Sequence, residues 1–199
     1  MSLQIYNSLS DQKEPFNPVH EGQASLYVCG PTVYSDSHLG HAKAYVSFDV
    51  ILRYLRFCGL KTLYVQNITD VGHLMGDADE GEDKLLKRAR ELNQEPMAVA
   101  ESYSRRHFEA MDLLGVIRPD ISPRATGHIP EQLEAIEKLL EHGLAYESNG
   151  SVYFEITKDP KYGELSNRKV EEMKSGARVK VRSEKRHPGD FALWKRAEP

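Results

Sequence analysis

The chemically most useful side chains of the sequence gather around one glycine-proline turn. Cys29 stands at the end of a predicted strand, where a thiolate can bind a metal ion or act as a nucleophile. Gly30 and Gly40 carry no Cβ, so a backbone or a ligand can approach them closely. His38 and His41 share one face at the start of a predicted helix, whose free N–H groups and dipole favour anions, so the pair indicates a phosphate site. From the residues alone, a buried inert cysteine and two partly exposed histidines remain the alternatives.

Three successive elements are expected to position these residues. They are a strand over residues 24–29, a helix over 38–57 and a strand over 61–68. Asp36 or Ser37 is expected to supply the N-cap of the helix. A strand, a helix and a strand of this length form a βαβ unit with parallel strands, and such units bind ligands at the carboxyl ends of the strands. Cys29 and Thr69 should therefore border one crevice.

The remainder of the sequence predicts further helices and a hairpin. Helices are predicted over 82–93, 96–114 and 131–142, short strands over 5–9, 144–146 and 152–156, and an extended connection or third strand over 119–126. The dipeptide Asn149-Gly150 is a strong turn signal between the last two strands. The apolar face of the helix over 96–114 is predicted to consist of Met97, Ala100, Met111 and Leu114. Residues from Asp159 onward lose periodicity and are expected to be rich in loops.

The composition is typical of a globular protein: of the 199 residues, 40% are hydrophobic and 28% are charged. No apolar run reaches the length of a membrane span, and the first residues lack the features of a signal peptide. With Cys29 and Cys58 alone, free thiols in a reducing cytoplasm are expected, and Cys58 is expected in the core. The net charge of −4 argues against a chain that binds nucleic acid through overall basicity. A basic block at 178–187 and an acidic block at 77–83 are expected to be solvated, a tRNA contact by the basic block being the alternative.

The sequence resembles the class I aminoacyl-tRNA synthetases, whose His-Ile-Gly-His signature corresponds to residues 38–41. Leu39 replaces Ile with a side chain of similar volume, which should be tolerated. The run Tyr-Val-Cys-Gly-Pro-Thr-Val-Tyr at 27–34 is more specific and is similar to the start of cysteinyl-tRNA synthetases. Segments 67–70, 123–129 and 190–195 also match that family, so the resemblance extends over the chain.

The resemblance implies an α/β fold. Residues 1–115 would form the first half of a Rossmann-type catalytic domain with a parallel sheet, and residues 116–199 the remainder, leading into the connective insertion. The C-terminal catalytic half, with its Lys-Met-Ser-Lys-Ser loop, and the anticodon-binding domain would lie outside the chain. The chain is therefore expected to be an N-terminal portion with little or no activity alone.

The resemblance also implies roles for the residues around the turn. His38 and His41 would contact the phosphates of ATP and stabilise the pentavalent transition state of adenylation, with no covalent enzyme intermediate. Gly40 would lie against the nucleotide, and Thr32 would line the same pocket. These four residues are the predicted ATP-binding set, and the two histidines are the predicted catalytic residues.

The substrate site implied by the resemblance consists of Cys29, Gly30 and Thr69. Cys29 would be one ligand of a zinc ion that also takes the substrate thiolate, because zinc binds a thiolate far better than a serine hydroxyl. The other zinc ligands of the family lie downstream of a segment that resembles Trp194-Lys195. Asp70 could orient the substrate ammonium group, Arg124 could pair with an acidic group or a phosphate, and His73 is expected to be a loop residue.

The activity implied is the ATP-dependent activation of cysteine to cysteinyl-adenylate and its transfer to tRNA(Cys). Mg²⁺-bound ATP, L-cysteine and tRNA(Cys) would be the partners of a cytoplasmic, monomeric protein without a membrane association. Two alternatives stay open: a ligase that activates cysteine in the same way but joins it to an amino sugar, and a non-catalytic nucleotide-binding paralogue.

Overall fold

A computed structural model describes residues 3–72, 82–167 and 184–196. The predictions for His73, for most of the acidic block and for residues 178–183 of the basic block lie outside these ranges. The described residues between Asn17 and Ile129 form one compact unit, the larger unit, and those up to Phe16 and from Pro130 onward form another, the smaller unit. The predicted domain division after residue 115 came from the resemblance to a family, and it stays a prediction.

The helices and strands are, in chain order, β1 (Gln4–Asn7), β2 (Gln12–Pro15), β3 (Gln23–Val28), α1 (Leu39–Phe57), β4 (Lys61–Gln66), α2 (Lys84–Leu92), α3 (Pro96–Leu113), α4 (Ile129–Glu141), β5 (Ala145–Ser148), β6 (Ser151–Phe154) and β7 (Phe191–Trp194). Short 3₁₀ turns cover Thr126–His128 and Ile156–Lys158. Within the described ranges, no helix is both long enough and apolar enough to cross a bilayer.

The predicted βαβ unit is confirmed in the larger unit. Strands β3 and β4 are parallel neighbours, with Val28 opposite Gln66, and α1 connects them. Beyond β4, Ile121 and Arg124 make isolated parallel bridges to Val65 and Ile68, so the extended connection runs beside the sheet without forming a complete strand. One buried cluster joins this sheet to α1 and α3, and it consists of Val28, Tyr45, Leu52, Tyr64, Met111 and Val116.

The start of α1 differs from the sequence prediction. Asp36 and Ser37 do not cap the helix; His38 occupies the N-cap position with extended backbone angles, φ −117° and ψ 177°. Asp36 and Ser37 instead bond to side chains of α3, at Arg106 and His107. The cap prediction was wrong because these two residues have tertiary partners that the local sequence does not reveal.

Helices α2 and α3 are confirmed, with Pro96 in the first turn of α3. The buried residues of α3 are Val99, Ala100, Tyr103, Ser104, His107 and Met111. Met97 and Leu114, which were predicted on the apolar face, are each about half exposed. They lie at the two ends of the helix, so the stripe of buried side chains in its middle misses them. Two polar residues, Ser104 and His107, lie within that stripe.

The smaller unit holds two antiparallel sheets. Strands β1 and β2 pair as one hairpin, and β5, β6 and β7 form a three-stranded sheet with β6 in the centre. Asn149 and Gly150 have φ of 51° and 78°, as the predicted tight turn between β5 and β6 requires. Strands β2 and β7 were not predicted, and β7 is a regular strand in the region after Asp159, which was expected to be rich in loops.

Both cysteines are free and exposed. For Cys58 this corrects the prediction of a core position: it is the C-cap of α1, where the helix ends and the side chain faces outward. For Cys29 it removes the alternative of a buried, inert side chain.

Candidate active site

The ends of β3 and β4 are tied together by main-chain hydrogen bonds. The N–H of Thr69 donates to the carbonyl oxygen of Pro31 at 3.0 Å, and the N–H of Val33 donates to the carbonyl oxygen of Thr69 at 3.2 Å. Thr32 and Thr69 thereby become partners in a parallel bridge. The structure thus brings together two residues predicted for different roles, Thr32 for ATP and Thr69 for the amino acid.

Asn67 fixes the residues that follow β3. Its Oδ1 accepts hydrogen bonds from the N–H of Gly30 at 2.8 Å and from the hydroxyl of Tyr27 at 3.1 Å. Its Nδ2 donates to Oγ1 of Thr69 at 3.1 Å. A Cβ on Gly30 would lie 1.4 Å from the carbonyl oxygen of Asn67, so only glycine allows this approach of the two strand ends.

Cys29 is held by its backbone while its side chain is exposed. The hydroxyl of Tyr45, on the second turn of α1, donates to the carbonyl oxygen of Cys29 at 3.3 Å. Burial raises the pKa of Tyr45 to about 12, so the hydroxyl keeps its proton at neutral pH. The hydrogen bond of Tyr45 therefore joins the end of β3 to α1 and leaves the thiol of Cys29 accessible.

His38 and His41 form a close pair at the start of α1, with ring centroids 4.1 Å apart. Nδ1 of His38 accepts from the N–H of Gly40 at 3.0 Å, and Nδ1 of His41 accepts from the N–H of His38 at 3.1 Å. Because Nδ1 is an acceptor in both rings, the neutral form of each carries its proton on Nε2. The pair therefore offers two Nε2–H donors at a helix N-terminus.

The surroundings of this pair favour an anionic ligand. The first turn of α1 contains no acidic residue, so the positive end of the helix dipole is not compensated there. Burial, and then the nearby His38, hold the pKa of His41 below its ordinary value. Neutral His41 therefore retains its Nε2–H donor at physiological pH.

Two residues of α3 contact the loop that leads into α1, and neither was predicted from the sequence as part of the site. Arg106 pairs with Asp36 at 2.6 Å, and Nδ1 of His107 lies 2.8 Å from Oγ of Ser37. Burial, and then the nearby His41, lower the pKa of His107 to about 4. The spacing Tyr103, His107, Met111 on a predicted helix was a signal for a buried histidine. Tyr45 and Asn67, described above, were also missed.

Asp70 and Arg124 have partners within the protein. Asp70 is 1% exposed, and its two oxygens accept from the N–H and the hydroxyl of Thr126 at 3.0 and 2.6 Å. Arg124 pairs with Glu101 at 2.7 Å and lies 3.9 Å from Asp70. Asp70 is therefore too enclosed to orient a substrate ammonium group, and Arg124 takes the acidic partner of its two predicted alternatives.

A complete metal site is not formed by the residues in the three described ranges, which contain no group of three or more His, Cys, Asp or Glu side chains able to hold a metal ion. The exposed thiol of Cys29 has the chemistry of one zinc ligand. A single donor does not make a metal site.

Comparison with known proteins gives consistent matches. The family model described as the catalytic domain of class I (C) tRNA synthetases matches residues 15–199. A cysteine–tRNA ligase of Chlorobaculum tepidum is 61% identical over the whole chain, and one of Thermus thermophilus is 57% identical. The chain spans 42% of the length of each.

The fold is also found in solved structures. One of them is a LeuRS from Agrobacterium radiobacter in a ternary complex with tRNA and LeuAMS, and its TM-score is 0.52 at 19% identity. The match covers 71% of this chain and 18% of that one. At this identity, the likeness shows a common α/β architecture and nothing of the ligands.

Proposed function

We propose, from the premise that the chain belongs to the family of class I (C) tRNA synthetase catalytic domains, that it is the N-terminal part of a cysteine–tRNA ligase. The whole protein would activate cysteine with ATP and transfer it to tRNA(Cys). The relatives that bear this name support the choice of amino acid, and the chain spans 42% of their length. The observation that carries the chemistry is the pair of Nε2–H donors of His38 and His41 at the start of α1.

In the proposed reaction these donors bind the phosphates of Mg²⁺-bound ATP. A carboxylate oxygen of cysteine attacks the α-phosphorus, a P–O bond to that carboxylate forms, and pyrophosphate leaves. Negative charge grows on the phosphoryl oxygens in the pentavalent transition state, where preorganised N–H donors stabilise it most. The protein contributes position and electrostatics, and no bond to His38 or His41 forms.

Gly40 and Thr32 complete the proposed nucleotide site. A Cβ on Gly40 would lie 2.8 Å from Cε1 of His38, so any larger residue would displace the ring that the phosphates need. Thr32 is half-buried at the strand end beside Thr69. Its proposed role is to line the floor of the pocket.

Cys29, Gly30 and Thr69 form the proposed site for the substrate amino acid. Cys29 would supply one ligand of a zinc ion, which when bound selects a thiolate over a hydroxyl. Gly30 keeps the strand end free of a side chain, and the hydroxyl of Thr69 is oriented by Asn67.

The finer predictions from the sequence belong to the same proposal. Residues 1–115 are the first half of the catalytic domain, residues 116–199 lead into its connective insertion, and the protein acts as a monomer in the cytoplasm. The amino-sugar ligase and the non-catalytic paralogue have no support among the relatives described above, which are named cysteine–tRNA ligase.

The test is cysteine-dependent exchange of pyrophosphate into ATP by the full-length protein, together with its zinc content. We expect exchange with cysteine, none with serine, and one zinc ion that is lost in Cys29→Ser but retained in Cys58→Ser. Charging of tRNA(Cys), and no product with an amino sugar, would then separate the two ligases. A protein that exchanges with neither amino acid would overturn the proposal.

A further inference from the structure

His107 is a polar residue in an apolar position. It is 2% exposed on the packed face of α3, and its Nε2 has no hydrogen-bond partner among the residues that the structure describes. An unbonded buried nitrogen costs free energy that an apolar side chain of similar size would avoid. The position is therefore poorly explained by packing alone.

The other ring nitrogen of His107 reaches the loop before α1. Nδ1 lies 2.8 Å from Oγ of Ser37, which directly precedes His38. The preceding residue of α3, Arg106, pairs with Asp36 at 2.6 Å. Two successive residues of α3 thus hold two successive residues of the loop, and the loop enters α1 at a fixed point.

The ring of His107 also contacts α1 itself. It meets the ring of Tyr45 edge-on with centroids 5.2 Å apart, and its centroid is 6.5 Å from that of His41. The hydroxyl of Tyr45 in turn bonds to the carbonyl oxygen of Cys29. His107 therefore restrains the first turn of α1 from both ends, through Ser37 before it and Tyr45 after it.

We propose that His107 is a positioning residue for His38 and His41, acting through its hydrogen bond to Ser37 and its contact with Tyr45. It does not touch the reacting groups. It sets where the two Nε2–H donors lie relative to the end of β3. The catalytic consequence rests on the proposed function, whereas the effect on the two imidazole rings does not.

The test uses four variants of the full-length protein. His107→Leu removes both nitrogens at similar volume, and Ser37→Ala removes the partner hydroxyl. His107→Asn retains a polar atom near the position of Nδ1 and serves as the conservative variant. Arg105→Ala is the matched control, because Arg105 lies on the same helix, is 70% exposed and lies 3.9 Å from Glu101.

Two readouts separate positioning from folding. The first is the pair of ¹H–¹³C signals of the His38 and His41 rings; the second is kcat and KM of cysteine-dependent pyrophosphate exchange. We expect His107→Leu and Ser37→Ala to shift both ring signals and to lower kcat about tenfold with KM nearly unchanged. Their double variant should fall no further, His107→Asn should recover most of the loss, and Arg105→Ala should match the unchanged protein.

Unshifted ring signals and an unchanged kcat in His107→Leu would overturn the proposal, as would losses in the two single variants that multiply in the double variant. If His107→Leu does not fold, Ser37→Ala carries the test, since it only removes a hydroxyl from a half-buried loop residue. Ring signals that shift in a protein without any exchange activity would support the positioning role and reject the proposed function.

Discussion

Two polar sites, one in each unit, use their side chains in opposite ways. In the smaller unit, Asp190 is 1% exposed and its carboxylate accepts from the hydroxyl of Tyr146 and from the N–H groups of Ile156 and His187, at 2.8 to 3.1 Å. In the larger unit, His38 and His41 each use one ring nitrogen for the backbone and have no bond to the other among the described residues.

A polar group can act on a ligand only if it keeps a donor or acceptor that the protein itself does not use. A group whose bonding capacity is used within the protein stabilises the fold, and one that retains a donor can bind something else. Asp70 shows that the division does not simply follow the units. It lies beside the candidate site, yet Thr126 occupies both its oxygens, and it therefore resembles Asp190.

The largest effect is expected for Asp190→Ala. The substitution leaves three donors from separate segments without their acceptor, and we expect the free energy of unfolding to fall by about 4 kcal/mol. Urea unfolding measures the loss. Glu134→Ala is the control of equal charge change in the same unit, because its ion pair with Lys138 is exposed and should contribute less than about 0.5 kcal/mol. Equal losses in the two variants would contradict the comparison.

The variant that replaces both His38 and His41 by alanine should show the reverse behaviour. We expect kcat of cysteine-dependent pyrophosphate exchange to fall by about 10²–10³-fold, with a change in unfolding free energy below about 1 kcal/mol. His142→Ala, which removes an exposed histidine of the smaller unit, should leave both quantities unchanged. If the double variant instead unfolds readily and exchanges pyrophosphate normally, His38 and His41 stabilise the fold and do not act on a ligand.

The buried side chain of His107 should make the stability of the larger unit depend on pH. Its pKa of about 4 lies below the ordinary 6.5, so between these values the unfolded chain binds a proton that the folded protein does not. Stability should therefore fall as the pH is lowered from 6.5 to 4, by roughly 3 kcal/mol from this group, which faces His41 and Tyr45 of α1. Urea unfolding of His107→Leu across this range should lack that part of the slope. An identical slope in the variant would show that other groups cause it.

The smallest effect is expected for Asp83→Ala. Asp83 caps α2 by accepting from the N–H groups of Leu85 and Leu86, and it also accepts from the N–H of Gly72. Loss of the cap should cost about 1 kcal/mol in urea unfolding and leave pyrophosphate exchange unchanged. A large loss of exchange would show that the hydrogen bond between Asp83 and Gly72 contributes to the site.

The sequence predicted the elements whose limits are marked locally. Glu95-Pro96 separates α2 from α3, and Asn149-Gly150 makes the turn between β5 and β6. Strand β2, with the polar sequence Gln-Lys-Glu-Pro, has no apolar alternation and exists through its pairing with β1. Strand β7 was missed because its partner β6 is distant in the chain, and no local pattern reports such a pairing.

The predicted site residues follow the same rule. Cys29, Gly30, Thr32, His38, Gly40 and His41 could be read from one short segment and its resemblance to a family, and Thr69 from the end of the next strand. Their assigned roles stay predictions. His107 could not be linked to Ser37, because they are 70 residues apart and nothing in either segment states that α3 returns to this loop.

The discontinuity of the smaller unit has a consequence during synthesis. The hairpin of β1 and β2 leaves the ribosome before the larger unit, but the remaining described residues of its own unit begin at Pro130. At ordinary elongation rates, on the order of ten seconds separate these two parts. An isolated two-stranded hairpin is marginally stable, so β1 and β2 should stay largely unstructured during this interval. The larger unit is complete once Ile129 has been synthesised and can already fold. The turn that carries His38 and His41 would thus be assembled before the hairpin of β1 and β2 meets the rest of its own unit.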